Sequence, residues 1–328
     1  MRVGFQRADF GALAQLWNDF LPPRYAIDGE LLKSHTVESP VFDWGASLIQ
    51  LDEDGAPTAF VAVKRSAAPR LYTGPDPDVA HLSAIAYRTP QCGVELMGQA
   101  KRILLDRGVY RISFGTDSRH FFPGCPEDCP ALRDFLTIEG FEEGGEQVDL
   151  ERDLSDYEPP AGSLDPLTDW PGCPDGDRSG PYVDRIGDRE LPAFREFIER
   201  EFPGRWAYDT VQKFEEESGA DCLYGLWIDG RVEGFALTQD WRHRLPIGGA
   251  VWRRDLGDRW GSLGPIGVSK GVRGRGLGDA MLAAGLMSLK IRGARRCIID
   301  WTTLKEFYGK HGFEVARVYR SRTLALNP

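Results

Sequence analysis

No run of 18 or more apolar residues occurs in the 328-residue chain, which excludes a membrane-crossing helix from the expected architecture. The opening MRVGFQRADF lacks the basic segment followed by an apolar stretch that marks a secretory leader, so a cytoplasmic protein is expected. Basic charge is also short. Forty Lys and Arg against 50 Asp and Glu give a formal net charge of -10, which argues against a broad nucleic-acid surface while leaving room for a local anion pocket. Cysteine is sparse and scattered, at Cys92, Cys125, Cys129, Cys173, Cys222 and Cys297, which is too thin for a disulfide scaffold and implies reduced thiols. His120, Cys125 and Cys129 in HFFPGCPEDC supply three potential zinc ligands without an obvious fourth, and no metal is expected there.

What is present is an ordinary globular composition, long enough for two domains of about 150 residues each. The chain also repeats itself. Residues 21–28, LPPRYAID, and residues 202–209, FPGRWAYD, share Pro, Arg, Ala and Asp and pair Tyr25 with Trp206. DGAPTAFVA from Asp54 and DGRVEGFAL from Asp229 each read as a turn opening an apolar strand. LSAIAY from Leu82 and LGPIGV from Leu263 each precede a loop, a helix ending near Gly108 or Gly293, and a strand, VYRISF or RCIID.

Each half therefore reads as a mixed α+β domain with antiparallel strands and one helix-connected strand pair. Leu13, Leu16, Trp17 and Phe20 form an apolar helical stripe with Asp9 as its cap, and Leu282, Leu286 and Leu289 form another that Gly293 ends. Residues 155–180 are dense in Pro, Gly and Asp and lack periodicity, which predicts a linker between domains at 1–154 and 181–328.

The segment with most chemical content runs from a strand, WGSLGPIGV, through Arg273, Gly274, Arg275, Gly276, Leu277 and Gly278 directly into a helix. Glycines at such a turn let successive backbone N–H groups converge on an anion, and the helix N-terminus adds positive partial charge. Lys270, Arg273 and Arg275 add full charges beside it. The loop is neither G-x-G-x-x-G nor a Gly-Lys-Ser/Thr P-loop, so nicotinamide and ATP lose their usual support.

In this loop the sequence resembles the GNAT superfamily of N-acetyltransferases, whose cofactor loop follows Q/R-x-x-G-x-G/A; Arg273, Gly276 and Gly278 fill those positions. The segment IIDWTTLKEFYGKHGFEV is similar to the family's closing strand and helix, with F-Y-x-x-x-G-F at residues 307–313. The resemblance covers most of residues 181–325 and implies two tandem GNAT-like domains, each a mixed, mostly antiparallel sheet flanked by helices. It implies acetyl-CoA as cosubstrate, with no metal, and direct acetyl transfer to the primary amine of a small molecule in a ternary complex.

Within that resemblance the strand of residues 263–268 is the one that splays to admit the pantetheine arm, so Ile266, Gly267 and Val268 are cofactor candidates. Gly274, Arg275 and Leu277 join the loop's motif residues, and Trp301 and Tyr308 lie beside the cofactor. Tyr308 occupies the position of the acid that protonates the departing thiolate. Many family members carry a glutamate base about where Ser262 lies here; this chain departs from that pattern, and Asp300, Asp240 and His243 are the substitutes, with a water chain as a further route. The first half looks like a worn copy, with residues 88–93 placed over 273–278 and Leu136 standing where Tyr308 would be, and no acetyl transfer of its own is expected. The tandem arrangement looks somewhat like bacterial glucosamine N-acetyltransferases, and six tryptophans in the second half suit an amphipathic acceptor. Two other readings stay open. A non-catalytic acyl-CoA sensor is compatible with the missing glutamate, whereas the acidic balance opposes a tRNA-dependent transferase.

Overall fold

The computed structural model describes residues 1–65, 79–216 and 222–326. The chain divides into two compact units, Met1–Val148 with Arg317–Pro328, and Asp149–Ala316.

The first unit runs β1 (Arg2–Gly4), α1 (Phe10–Phe20), α2 (Gly29–His35), β2 (Leu48–Leu51), β3 (Pro57–Lys64), β4 (Val79–Tyr87), α3 (Pro90–Leu105), β5 (Arg111–Phe114), β6 (Cys125–Pro126), α4 (Pro130–Ile138) and β7 (Glu142–Asp153). The chain continues β8 (Tyr182–Arg185), α5 (Leu191–Glu201), α6 (Arg205–Glu216), β9 (Leu223–Ile228), β10 (Arg231–Asp240), α7 (Arg253–Leu256), β11 (Trp260–Val268), α8 (Leu277–Ile291), β12 (Arg296–Thr302), α9 (Lys305–Gly309) and β13 (Glu314–Ala325), with β7 and β13 each crossing the boundary between the units.

In the first unit α1 buries Leu13, Leu16 and Trp17, and Asp9 caps it by accepting from Gly11 and Ala12 N–H at 3.0 and 3.1 Å. Its sheet follows β1-β2-β3-β4-β5-β13, with β4 and β5 parallel and the rest antiparallel. The last strand of the chain therefore completes the first unit: Thr323, Leu324 and Ala325 pair with Ser113, Ile112 and Arg111. Cys125 and Cys129 are buried free thiols, and burial pushes the Cys125 thiol up to about 12. Among the described residues no group of three or more His, Cys, Asp or Glu is placed to hold a metal ion.

The second unit orders its strands β7-β12-β11-β10-β9-β8, with β11 and β12 parallel. Alternation along β10 gives each face its own core. Phe235 and Leu237 pack on Phe194, Phe197, Ile198 and Phe214 of α5 and α6, while Ala236 packs on Leu277, Ala280, Met281 and Ala284 of α8. Small residues let α8 lie close to the sheet: a Cβ at Gly285 would come within 2.7 Å of Leu263 Cδ1.

These boundaries differ from those that composition suggests. Residues 155–180 lie within the second unit, where Leu167 is buried against α8 and Leu164 and Trp170 pack beside it. Apolar burial at three positions holds a segment whose Pro and Gly content reads as a linker. Among the described residues no helix is long and apolar enough to cross a membrane.

Candidate active site

The parallel pairing of β11 with β12 runs through Trp260↔Arg296, Gly261↔Cys297 and Ser262↔Ile298 and stops there, although both strands continue. Beyond Ser262, β11 is held from one side alone, by β10, after a bulge opposite Leu237 that takes up Gly264 and Pro265. Ser269 N–H donates to Glu233 O at 2.8 Å, which makes that pair a hydrogen-bonded one. Antiparallel pairs alternate, so Gly234↔Val268 and Ala236↔Ile266 are not hydrogen-bonded, and the N–H and C=O groups of Ile266 and Val268 point away from β10 into the opening. Gly267 faces β10, and a Cβ there would meet the Phe202 ring at 2.5 Å. The gap thus presents extended-strand donors and acceptors that the sheet leaves unclaimed.

This edge runs straight into the glycine loop. Gly274 and Gly276 have φ of 79° and 75°, a left-handed conformation in which glycine carries no Cβ penalty. Gly276 is the N-cap of α8 and makes no side-chain cap bond, which leaves the first-turn amides of Leu277, Gly278 and Asp279 uncapped by side chains among the described residues. Arg273, Gly274, Arg275 and Gly276 are exposed, and Lys270 with them; Arg273 Nε donates to Val268 O at 3.4 Å. The Glu201 carboxylate accepts the Lys270 N–H at 3.2 Å and fixes the start of the loop. Burial alone would raise the Glu201 pKa, but the bonds from Lys270 and Arg200 outweigh it and hold it below the usual range. The arrangement joins exposed cations and helix-start amides, groups that suit an anion, to a strand edge paired on one side.

Tyr308, on α9, is 6% exposed, and burial, reinforced by the charge of Asp300, pushes its phenol up to about 12. Asp300, near the end of β12, lies against the turn at Gly248 and Gly249 and faces the bulge: a Cβ at Gly264 would lie 3.6 Å from its Oδ1. Trp301 has φ of 47°, donates its N–H to Asp149 Oδ1 at 3.2 Å and carries the Arg205 guanidinium 4.1 Å over its ring. A buried histidine ties this segment to the loop helix. His311 Nε2 lies 3.0 Å from Asp279 Oδ1 in the first turn of α8, and its Nδ1 lies 2.9 Å from the Tyr157 hydroxyl. Residue pattern alone picked out neither this tether nor Glu201, although His311 falls inside the closing motif.

The other proposed bases lie elsewhere. Asp240 ends β10 opposite Gly261, fully buried, with Arg242 Nη2 at 2.8 Å and Arg292 Nη1 at 3.1 Å. Burial pushes its pKa up, but hydrogen bonds from His243 and Arg242 and the charge of Arg292 hold it well below the carboxylate range. His243 Nδ1 also lies 3.0 Å from the Asp240 backbone nitrogen. Both residues are spent on closing this turn. Asp300 is the one of the three that faces the bulge.

The first unit repeats the framework without the opening. Its β4 carries a bulge at the corresponding position, Ser83 between Ala62↔Ala84 and Val63↔Leu82, and Arg88 N–H donates to Thr58 O at 2.8 Å as Ser269 does to Glu233. Ser83 Oγ then donates to Asp117 Oδ2 at 2.8 Å, and Lys64 Nζ reaches the same oxygen at 2.6 Å, both charges fully buried. Between β4 and α3 stand only Arg88 and Thr89; Thr89 caps the helix through Cys92 N–H, and Pro90 has no N–H to offer.

The splayed parallel pair feeds a glycine loop and a helix whose N-cap makes no side-chain bond. Residues 191–313 match the model of the Acetyltransferase (GNAT) family, and that stretch is a GNAT domain. A GCN5-related glucosamine N-acetyltransferase region of a fungal multi-domain GH3 beta-N-acetylglucosaminidase superposes with a TM-score of 0.84 at 21% identity, over 99% of this chain and 38% of that one. This chain therefore spans well under half the length of that protein. A GCN5-related N-acetyltransferase from Sphaerobacter thermophilus has a TM-score of 0.66 at 16% identity, covering 100% of this chain and 96% of that one. A tandem GNAT protein from the clavulanic acid biosynthesis pathway has a TM-score of 0.67 at 14% identity, over 100% and 99%. No curated protein matches the sequence. The fold is thus α+β, two tandem GNAT-like domains, each a mixed, mostly antiparallel sheet flanked by helices.

Proposed function

We propose that the second unit transfers the acetyl group of acetyl-CoA directly to a primary amine of a small molecule, and that the first unit is a degenerate copy without transfer chemistry. The observation that carries this reading is the opening between β11 and β12, with the backbone of Ile266 and Val268 facing it and the loop of residues 273–278 at its end. The loop amides and the charges of Arg273 and Arg275 suit the pyrophosphate, and the strand edge suits the amide-bearing pantetheine arm. Acetyl-CoA supplies the thioester that the amine attacks.

Asp300, facing the bulge, is the candidate to take the proton the amine must lose, directly or through water. Tyr308 is the candidate donor to the departing sulfur. With its phenol near 12 and a thiol near 8.5, complete proton transfer would cost about 5 kcal/mol, so Tyr308 serves better as a hydrogen-bond donor to the developing thiolate. Glucosamine is the first acceptor to test, because the fungal region that shares this fold at a TM-score of 0.84 is a glucosamine N-acetyltransferase.

The test is thiol release from acetyl-CoA against an amine panel that includes glucosamine, for the intact protein and for Tyr308→Phe and Gly276→Asp. Turnover with one amine is expected, reduced about 10- to 100-fold in kcat by loss of the Tyr308 hydroxyl and abolished by the carboxylate placed at the loop. Tight acetyl-CoA binding without turnover on any amine would overturn transfer in favour of a sensor.

A further inference from the structure

The first unit has a cleft of about 540 Å³ at the end of β4, between α1, α3 and α4. By the repeat it occupies the place that the cofactor loop and closing helix frame in the second unit. Its chemistry is opposite. Three rings form a continuous wall, with Phe20 4.4 Å from Tyr87 and Tyr87 5.2 Å from Phe135. Burial pushes the Tyr87 phenol up to about 12, and its hydroxyl is spent on Ala131 O at 3.2 Å. The charges at the rim are Asp19 on α1 and Asp134 on α4, with Arg88 as the cation. Arg88 is held by Asp52 at 3.4 Å, outside the cleft. Asp19 uses one oxygen on Gln15, at 2.7 Å, and Asp134 one oxygen on neighbouring Arg133, at 3.4 Å. Each keeps its other oxygen for a ligand.

An anionic cofactor is poorly served here, since the amides that would receive a phosphate are capped by Thr89 or missing at Pro90. We propose that the cleft is a second small-molecule site, for an aryl-alkyl amine in its ammonium form. The aromatic group lies on the Phe20, Tyr87 and Phe135 wall, and the ammonium sits between Asp19 and Asp134, gaining ion pairing and cation–π attraction. The size suits it, within the ordinary range for such pockets. The proposal stands independently of transfer chemistry in the second unit.

The experiment is calorimetric titration of the intact chain with phenethylamine at near-neutral pH, beside neutral 2-phenylethanol and coenzyme A. Saturable phenethylamine binding is expected, at least about tenfold tighter than the alcohol, and weakened about tenfold or more in Asp19→Asn with Asp134→Asn and in the cleft-filling Val94→Phe. Unchanged coenzyme A affinity in both variants is expected, since the cleft is not its seat. No saturable phenethylamine binding would overturn the proposal. So would binding that both variants leave intact, which places the amine elsewhere, or loss of coenzyme A binding in Val94→Phe.

Discussion

Gly276→Ala and Gly278→Ala, two positions apart in one loop, are expected to have opposite effects. Gly276 sits at φ 75° and ψ -6°, and a Cβ there would lie 3.3 Å from Pro166 Cγ. An L-residue in that left-handed region costs about 1–2 kcal/mol. Gly278 already lies inside α8 with no positive φ, and its added Cβ would meet Val268 Cγ2 at 4.0 Å, an ordinary contact. Alanine there removes unfolded-state freedom and gains about 0.4–1 kcal/mol. For a unit of this size each kcal/mol moves Tm by about 2–4 °C, so the unfolding transition should fall by about 2–8 °C in the first variant and rise by about 1–4 °C in the second. Should the Gly276→Ala backbone relax out of the left-handed region to escape the strain, the first amides of α8 turn away from their common point. Acetyl-CoA affinity then drops by the same free energy, about 5- to 30-fold. Thermal scans and calorimetric titration of acetyl-CoA measure both effects. Equal Tm values for the two variants would refute the conformational argument, and a Gly276→Ala protein that has escaped the strain, its Tm undiminished, yet binds acetyl-CoA as tightly as its parent would refute the assignment of the loop amides to the pyrophosphate.

Removing one partner of the buried Lys64–Asp117 pair should cost the first unit about 3–5 kcal/mol, because the remaining charge has no water to return to. Lys64→Met should therefore lower the urea midpoint sharply and Lys64→Met with Asp117→Leu should recover much of it; a single variant as stable as the parent would count against the pair as the closure of this site. Acidification should also weaken the first unit. Burial holds the His35 pKa well below its ordinary value, helped by Lys64 and Arg119, and burial lowers His81 against the opposing charge of Asp117. The unfolded imidazoles bind protons first, so stability is full above the unfolded value of about 6.5 and declines as pH falls through it; the lowered Asp117 adds a loss only below about 3.9. A Tm that stays level between about pH 7 and pH 5 would contradict this account.

Local signals in the sequence carried the repeat, the α1 stripe with its Asp9 cap, and the strand-loop-helix run at residues 260–291, because each depends on neighbours within a few positions. The exchange of strands was not legible. The alternation along β13 is the same whichever sheet receives it, and its pairing with β5, as of Thr323 with Ser113, is what shows that it completes the first unit. Leu164, Leu167 and Trp170 were the signal that residues 155–180 pack, three apolar side chains at helix-like spacing hidden among prolines and glycines. Matching residues 88–93 to 273–278 by their letters concealed a shortened loop. The ladder bonds make Arg88 the counterpart of Ser269, and the repeated Asp has diverged in role as well: Asp28 caps α2, whereas Asp209 lies within α6 and pairs with Arg205.

The two copies show why one framework gives one open site. Both break the parallel pair at a bulge in the corresponding position, which deflects the strand and leaves backbone groups to be satisfied. In the first unit the bulge residue is Ser83, whose hydroxyl reaches Asp117, and Lys64 neutralises that carboxylate where no solvent reaches. In the second unit the bulge holds Gly264 and Pro265, which offer no polar side chain to bridge the gap, and Asp300 faces it from the neighbouring strand. A side-chain network that stitches β4 to the segment after β5 costs desolvation and is retained because it is fully enclosed. An unstitched gap leaves strand amides facing solvent, and a ligand with its own amides fits that edge. Grafting the buried pair should therefore close the second site: Thr302→Asp with Gln239→Lys places the two charged groups at the positions the repeat assigns, while Gly264, whose φ of 150° disfavours a side chain, is left as it is. Loss of acetyl-CoA binding with the fold retained is the expected result, and undiminished affinity in a folded double variant would show that the buried pair does not decide which copy opens.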